Sequence, residues 1–443
     1  MGSVHQPAPK CRTVQRVLNA VRIQDFKSYE KARLVLAPLT VLIGANASGK
    51  SNAIEALRLL SWIAQGNRLG AIRYAVYEKN EAVRGTTASL SRFSGDTFTI
   101  GADIGLINAS YSITLERAPD DDLHIAHEKL VTSQSSVPTY EVVVGSAGPG
   151  SDLRVAYNNY ARGGTKPQVT CTDQMAILVQ LQSSARFAAG NKSAQTQIPR
   201  ICSDCQSILS SVLFLDPQPS LMRAYSFKSE SRLQGDGSNL SGVLYNLCAN
   251  DDGRSAVVKI IQSLPEQNIS SIDFIETPRQ EVMVQLEETF GGTKRKFDAT
   301  LLSDGTLRVL SIAASILSAP ENSLVVIEEI DNGVHPSRAE SLLASISQIA
   351  KSRNLRVLII SHNPALLDAL PMDAVPNVVF CYRDPENGSS KLVRLVDVPD
   401  YPELIAQGSV GHLMTKGLIE RFVKEHPGPF FKKAARQELA RET

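Results

Sequence analysis

The stretch "LTVLIGANASGKSNAIEALRLL", residues 39–60, decides the fold. It opens with a short apolar strand, Leu39–Ile43, and closes with helical spacing from Asn52 onward. Between them lies Gly44-Ala45-Asn46-Ala47-Ser48-Gly49-Lys50-Ser51, the Walker A spacing of two glycines with four residues between them, followed by Lys and Ser. Glycine lets backbone N–H groups turn inward around phosphate oxygens, and a following helix N-terminus adds a favourable partial charge. Lys50 is placed to reach β- and γ-phosphates, Ser51 to bind Mg²⁺, and Asn52 to open the helix. A glycine-rich strand-to-helix turn is the plain alternative, and the flanking strand and helix argue against it.

Three further stretches acquire a role from that loop. In "VVIEEIDNGVHP", residues 325–336, a buried run ends in two adjacent carboxylates, Glu328 and Glu329. Two acids side by side repel, and an exposed turn is their bland reading. Beside a phosphate loop, Glu328 fits a Walker B metal ligand and Glu329 a base that polarises the attacking water. In "LIISHNP", residues 358–364, another apolar strand ends in His362, placed to meet a γ-phosphate or orient the water. In "LLSDGTLRVLSIAASIL", residues 301–317, a polar tetrad opens an apolar helix. Ser303 and Thr306 are good helix-start residues and Gly305 bares backbone N–H, so this is a second candidate anion site. A capped helix is the default for such a stretch, and its place just before the Walker B strand changes that.

These motifs resemble the ABC-type ATPases, where "LSGGQ" occupies the place of Leu302-Ser303-Asp304-Gly305-Thr306. More narrowly they resemble the SMC, RecF and OLD-like branch. "DFKSY" (25–29), "GANASGKSN", "LLSDGTLR", "EEIDNGVHP" and "SHNPALLDAL" together look like the standalone bacterial AAA/OLD-like ATPases encoded in anti-phage defence loci. The resemblance spans roughly 15–60 and 214–420. It implies ATP and Mg²⁺ as ligands and a head-to-tail homodimer or higher homo-oligomer. Ser303, Asp304 and Gly305 of one copy would then complete the ATP site of another, with Asn332 and Gly333 as the D-loop. "FLDPQP" looks like the place of the Q-loop, with Gln218 as its candidate. Three departures stand out: Glu328 for the commoner Asp, Ile330 for the usual Pro, and Asp304 for the first signature Gly. None removes a needed group, and slow hydrolysis fits them.

The whole chain sets the frame. Its 443 residues, 43% hydrophobic and 21% charged, allow two or three lobes of an ordinary globular protein. A net charge of +1 gives no global pull toward nucleic acid. Six cysteines form no disulfide scaffold, the N-terminus lacks a signal-peptide core, and no apolar run is long enough to span a bilayer. The expectation is a cytoplasmic protein without membrane contact.

Alternating stretches across 97–157 read as antiparallel strands, with "GSAGPGSD" (145–152) a loop. From 302 to about 384, helix and strand alternate in the manner of a mostly parallel sheet. The expected architecture is therefore α/β, a P-loop ABC-type head with an antiparallel β subdomain and a short helical insertion. Its divisions are a flexible start (1–13), a first lobe (14–164), a helical insertion (165–212), a second lobe (213–415) and a helical tail (416–443). Cys202-Ser203-Asp204-Cys205 invites a zinc shared between chains, but two ordinary helix thiols are the better reading. Lys294-Arg295-Lys296 reads as a solvated strand edge before a DNA contact.

By resemblance, the leading function is an ATPase serving a separate effector protein, a nuclease among the candidates, in phage defence. The chain ends about 80 residues past His362, where a Toprim nuclease domain does not fit. DNA is a second candidate ligand under a RecF-type repair reading, and a transporter's nucleotide-binding subunit is disfavoured by the long stretch between Walker A and signature.

Overall fold

The computed structural model describes residues 16–72, 83–105, 108–119, 121–143, 152–262, 268–328, 330, 336–399 and 401–425. The flexible start, most of "GSAGPGSD", and the tail beyond 425 lie outside them.

Among the described residues, three sheets form the frame. The first is antiparallel and eight-stranded, in the order Tyr29–Val35, Leu18–Phe26, Thr97–Ile104, Ala109–Arg117, Leu123–Val131, Tyr140–Val142, Leu153–Tyr157, Gln168–Cys171. Its strands alternate buried and open positions, as in Ala109–Arg117, so one face is covered and the other wet. The second is six-stranded: Leu213–Leu215, Leu324–Ile327, Arg356–Ile360, Leu39–Ile43, Val378–Arg383, Ser390–Arg394. Its first five strands are parallel and the last antiparallel. A four-stranded antiparallel sheet, centred on Glu281–Phe290, completes the frame.

The six-stranded sheet is buried on both faces, which is why its strands read as continuous apolar runs. Leu42, Leu324, Val326, Leu358, Val379 and Cys381 join one core with the helix Lys50–Ala64 and the eight-stranded sheet. Val41, Ile43, Val325, Ile327, Val357 and Ile359 join a second core with the helix Asp304–Ser318. The pleat alternates these sets, so the two helices lie on opposite faces of one sheet.

The segment 165–212, expected as a helical insertion of two helices, is helical as expected over Lys192–Ser210 and departs before it. Gln168–Cys171 closes the eight-stranded sheet, and of "TDQMAILVQLQSSARFAAG" only Ile177–Gln180 is α-helical. Glu128, fully buried, accepts hydrogen bonds from Ile177 N and Leu178 N at 2.8 Å each and from the Tyr140 hydroxyl at 2.8 Å. That carboxylate ties down a turn that propensity alone would continue. Burial pushes its pKa up to about 7, against the pull of the backbone N–H groups. The long helix Lys192–Ser210 runs through Pro199 because its inner face, Ala194, Ile198, Ile201, Cys202, Cys205, Ile208 and Leu209, is buried on the first core. Cys202 and Cys205 are thus core thiols. Burial drives Cys202 well above its usual range and Cys205 up to about 12, which keeps both protonated.

Lys294 and Lys296 lie on the strand Thr293–Asp298, which pairs only with Glu281–Phe290 in the described sheet. They form ion pairs with Glu287 and Asp273, each at 2.8 Å, as a solvated strand edge would. No described helix is long and apolar enough to cross a membrane.

Candidate functional site

The parallel strands deliver their C-terminal ends to one edge of the sheet. Leu39–Ile43 runs directly into Gly44, and Arg356–Ile360 pairs with it in the register Ile360↔Leu42. Leu324–Ile327 pairs next with Ile327↔Ile359, and Leu213–Leu215 after it with Leu215↔Ile327. Gly44, His362, Glu328 and Gln218 therefore all follow strand ends on the same rim. His362 and Gln218 are exposed there, and Gln218 opens the short helix Pro219–Met222. Glu329, Asn332 and Gly333 lie outside the described residues.

The loop is held from outside. Gly44 has φ 147° and Gly49 φ 116°, and a Cβ at Gly44 would stand 2.1 Å from the Cys381 carbonyl oxygen. Arg383 Nε donates to Ala47 O at 3.1 Å, and the Tyr29 hydroxyl to Gly49 O at 3.1 Å. The Ser390 hydroxyl donates to Ser48 O at 2.6 Å and lies 2.7 Å from Ser28 Oγ, which accepts from Asn52 Nδ2 at 2.7 Å. A hydroxyl has one proton, so Ser390 shares it between two acceptors, Ser48 O and Ser28 Oγ. The Ser48 hydroxyl is buried with no hydrogen-bond partner among the described residues.

Inside the loop, the Lys50 ammonium folds back onto Gly44 O at 2.6 Å and Ala45 O at 2.9 Å. Burial pulls its pKa below the usual range. No side chain caps the helix Lys50–Ala64, so its first N–H groups are open to an anion. Ser51 is exposed at the same end. Beside the loop lies a cavity of about 400 Å³ lined by Lys27, Ser28, Asn52, Arg92, Phe93 and Arg383 among others. It holds three cations and an aromatic ring, and Phe93 is 80% exposed at φ 51° with the Arg92 guanidinium 4.2 Å from its centroid. Loop, uncapped helix, half-buried lysine and cationic cavity fit a nucleotide.

Glu328 continues the alternation of its strand toward the face that carries Lys50–Ala64, since Leu324 and Val326 join that core. Arg58 of that helix meets it, Nη2 to Oε1 at 2.6 Å. Neither Arg58 nor Arg383 was singled out from sequence. Arg383 is 336 residues from its loop partner and Arg58 is 270 from Glu328, so no local pattern marks them.

The signature helix Asp304–Ser318 is built differently. Ser303 caps it, accepting from Thr306 N at 3.1 Å. Asp304 is exposed and pairs with Arg223 at 2.6 Å, and Arg223 also donates to Leu302 O at 3.0 Å. Ser303, Asp304 and Gly305 thus cap a helix on the face of the sheet away from the phosphate-loop helix.

Two family models match the chain. One, described as "AAA ATPase domain", covers residues 17–110; the other, described as "AAA domain, putative AbiEii toxin, Type IV TA system", covers 205–368. Over 57 residues the chain is 46% identical to the "DNA replication and repair protein RecF" of Gloeobacter violaceus, a match over 13% of this chain and 14% of that protein. Among solved structures, the Smc head bound to the C-winged helix domain of ScpA is 13% identical with a TM-score of 0.44, over 85% of this chain and 97% of that one. The SMC head domain from Thermotoga maritima is 14% identical with a TM-score of 0.37, over 85% and 98%. Overlap at that level carries no functional weight. Over the matched segments the chain is similar to AAA ATPase domains, and its phosphate loop is of the P-loop kind. Within that likeness, the 57-residue match is to a RecF protein.

Proposed function

We propose that the chain binds and slowly hydrolyses ATP, and that two copies pair head to tail with ATP between them. One observation carries this reading: the open phosphate-loop helix and the signature helix lie on opposite faces of one sheet. Ser303 and Gly305 would then meet a γ-phosphate held by a second copy. Gly44–Ser51 would cradle the phosphates, with Lys50 exchanging its two carbonyl partners for phosphate oxygens. The nucleoside would lie toward Asn52, Arg383 and Phe93, where stacking tolerates either purine. Ser51 and Glu328 would hold Mg²⁺, whose charge offsets that of the phosphates. Glu329 would take the proton of the attacking water, and His362 would orient it.

Nucleotide-driven association suits a switch more than a turnover enzyme. We place its output in a separate effector protein, within anti-phage defence. The test is native mass and ATP turnover of the wild type and Glu329→Gln, each with and without ATP. ATP should raise the mass, and the variant should keep the larger form while losing turnover at least 100-fold, on the order of 3 kcal/mol. Mass that ignores ATP in both proteins overturns the pairing.

The RecF match favours a second reading, in which DNA is the direct ligand. It requires ATP-dependent, salt-sensitive DNA binding by the isolated chain.

A further inference from the structure

Arg58 stands in the middle of the phosphate-loop helix, eight residues past Lys50. Its guanidinium lies 5.1 Å from the Phe214 ring centroid, and its Nε is buried with no hydrogen-bond partner among the described residues. Phe214 pairs with Val326 in the strand beside Leu324–Ile327, and the Glu328 N–H is fixed on Leu215 O at 3.1 Å. The pair with Glu328 uses one guanidinium nitrogen and one carboxylate oxygen, at 2.6 Å, not the two-bond fork that makes such pairs strong. Both side chains are about a third exposed, 30% and 31%, so the pair is one that a stronger cation can displace. The extra methylene of glutamate gives the carboxylate its reach; an aspartate at 328 would fall short by roughly one bond length.

We propose that Arg58 is the positioning residue for the metal ligand Glu328: it holds the carboxylate until a divalent cation arrives, and it competes with that cation. The inference rests on the assignment of Glu328 to the metal. Arg58 thereby sets how much Mg²⁺ the site needs, since a fixed positive charge beside the carboxylate both occupies an oxygen and repels a dication.

The experiment uses the full chain as wild type, Arg58→Met, Glu328→Asp and the double variant. Methionine keeps the apolar stem over Phe214, and Arg58→Gln serves should the methionine variant fail to fold. The readout is the Mg²⁺ concentration for half-maximal binding of a fluorescent ATP analogue, which needs no turnover. Arg58→Met should lower that concentration about five- to tenfold, the effect of removing one charge at contact distance in a half-solvated setting. In the Glu328→Asp background the same change should shift it less than about twofold, because the pair is already broken. An unchanged or raised Mg²⁺ requirement in Arg58→Met overturns the proposal, whatever the melting temperature does. Should no variant bind the analogue, the nucleotide reading itself fails. Arg58 is then judged on Mn²⁺ alone by electron paramagnetic resonance. There Arg58→Met must bind Mn²⁺ more tightly than wild type, and equal, weaker or no binding overturns the proposal.

Discussion

Two helix N-termini in this chain meet the same physical problem in opposite ways. Each leaves its first N–H groups without intrahelical acceptors. The helix that begins at Lys50 has no side-chain cap, and the loop before it is braced from behind through Tyr29, Arg383 and Ser390, with Lys50 folded onto it from within. The helix that begins at Asp304 carries its own cap, with Ser303 Oγ accepting from Thr306 N. An end braced from behind and left open in front is a finished receptor for an anion. An end capped by its own serine is stable alone and offers little until something brings a charge to it. In the proposed pairing the phosphate loop would be the preformed half, and Ser303 and Gly305 would become ligands only on assembly.

The sharpest way to break this comparison is at Gly44. In Gly44→Ala the new methyl meets the Cys381 carbonyl and the residue must keep φ 147°, so loop and strand separate. We expect a stability loss of about 3 kcal/mol or more by denaturant unfolding and a fall in ATP affinity of at least 100-fold by calorimetry. A variant that folds and binds like wild type would mean that the loop is not held from behind at all. Ser303→Ala sharpens the other side. Loss of the cap should cost about 1 kcal/mol of stability. ATP binding by the isolated chain should stay within about twofold, while ATP-dependent association weakens by tenfold or more, about 1.4 kcal/mol. Equal losses in binding and association would place Ser303 in its own chain's site.

Local pattern carried the phosphate loop, its flanking strand and helix, and the signature helix, because each is a contiguous run whose chemistry and periodicity agree. "LTVLI" and "NAIEALRLL" bracket the loop in the structure as they do in the sequence. The antiparallel region across 97–157 was equally legible from alternation. The stretch around Met175 was not. Its apolar spacing looks helical, but the buried Glu128, almost 50 residues away, fixes the first N–H groups and the chain turns aside after Gln180. "QVTC" carried a strand signal in its β-branched pair, too short to outweigh its neighbours. The Arg383 and Ser390 braces of the loop and the Arg58–Glu328 pair were invisible because they join segments hundreds of residues apart.

Glu128 has one more consequence. A carboxyl that titrates near 4.5 when exposed and at about 7 in the fold makes folding a proton-uptake reaction between those values. Its contribution is fully present below about pH 4.5 and is lost as pH rises through about 7, beyond which the chain must bury a charge. Unfolding between them should release close to one proton from this group, visible as a dependence of the calorimetric unfolding enthalpy on buffer ionisation heat that Glu128→Gln removes. A mildly acidic medium would then favour the folded chain through one buried carboxyl, at the very turn where sequence pattern and structure part company.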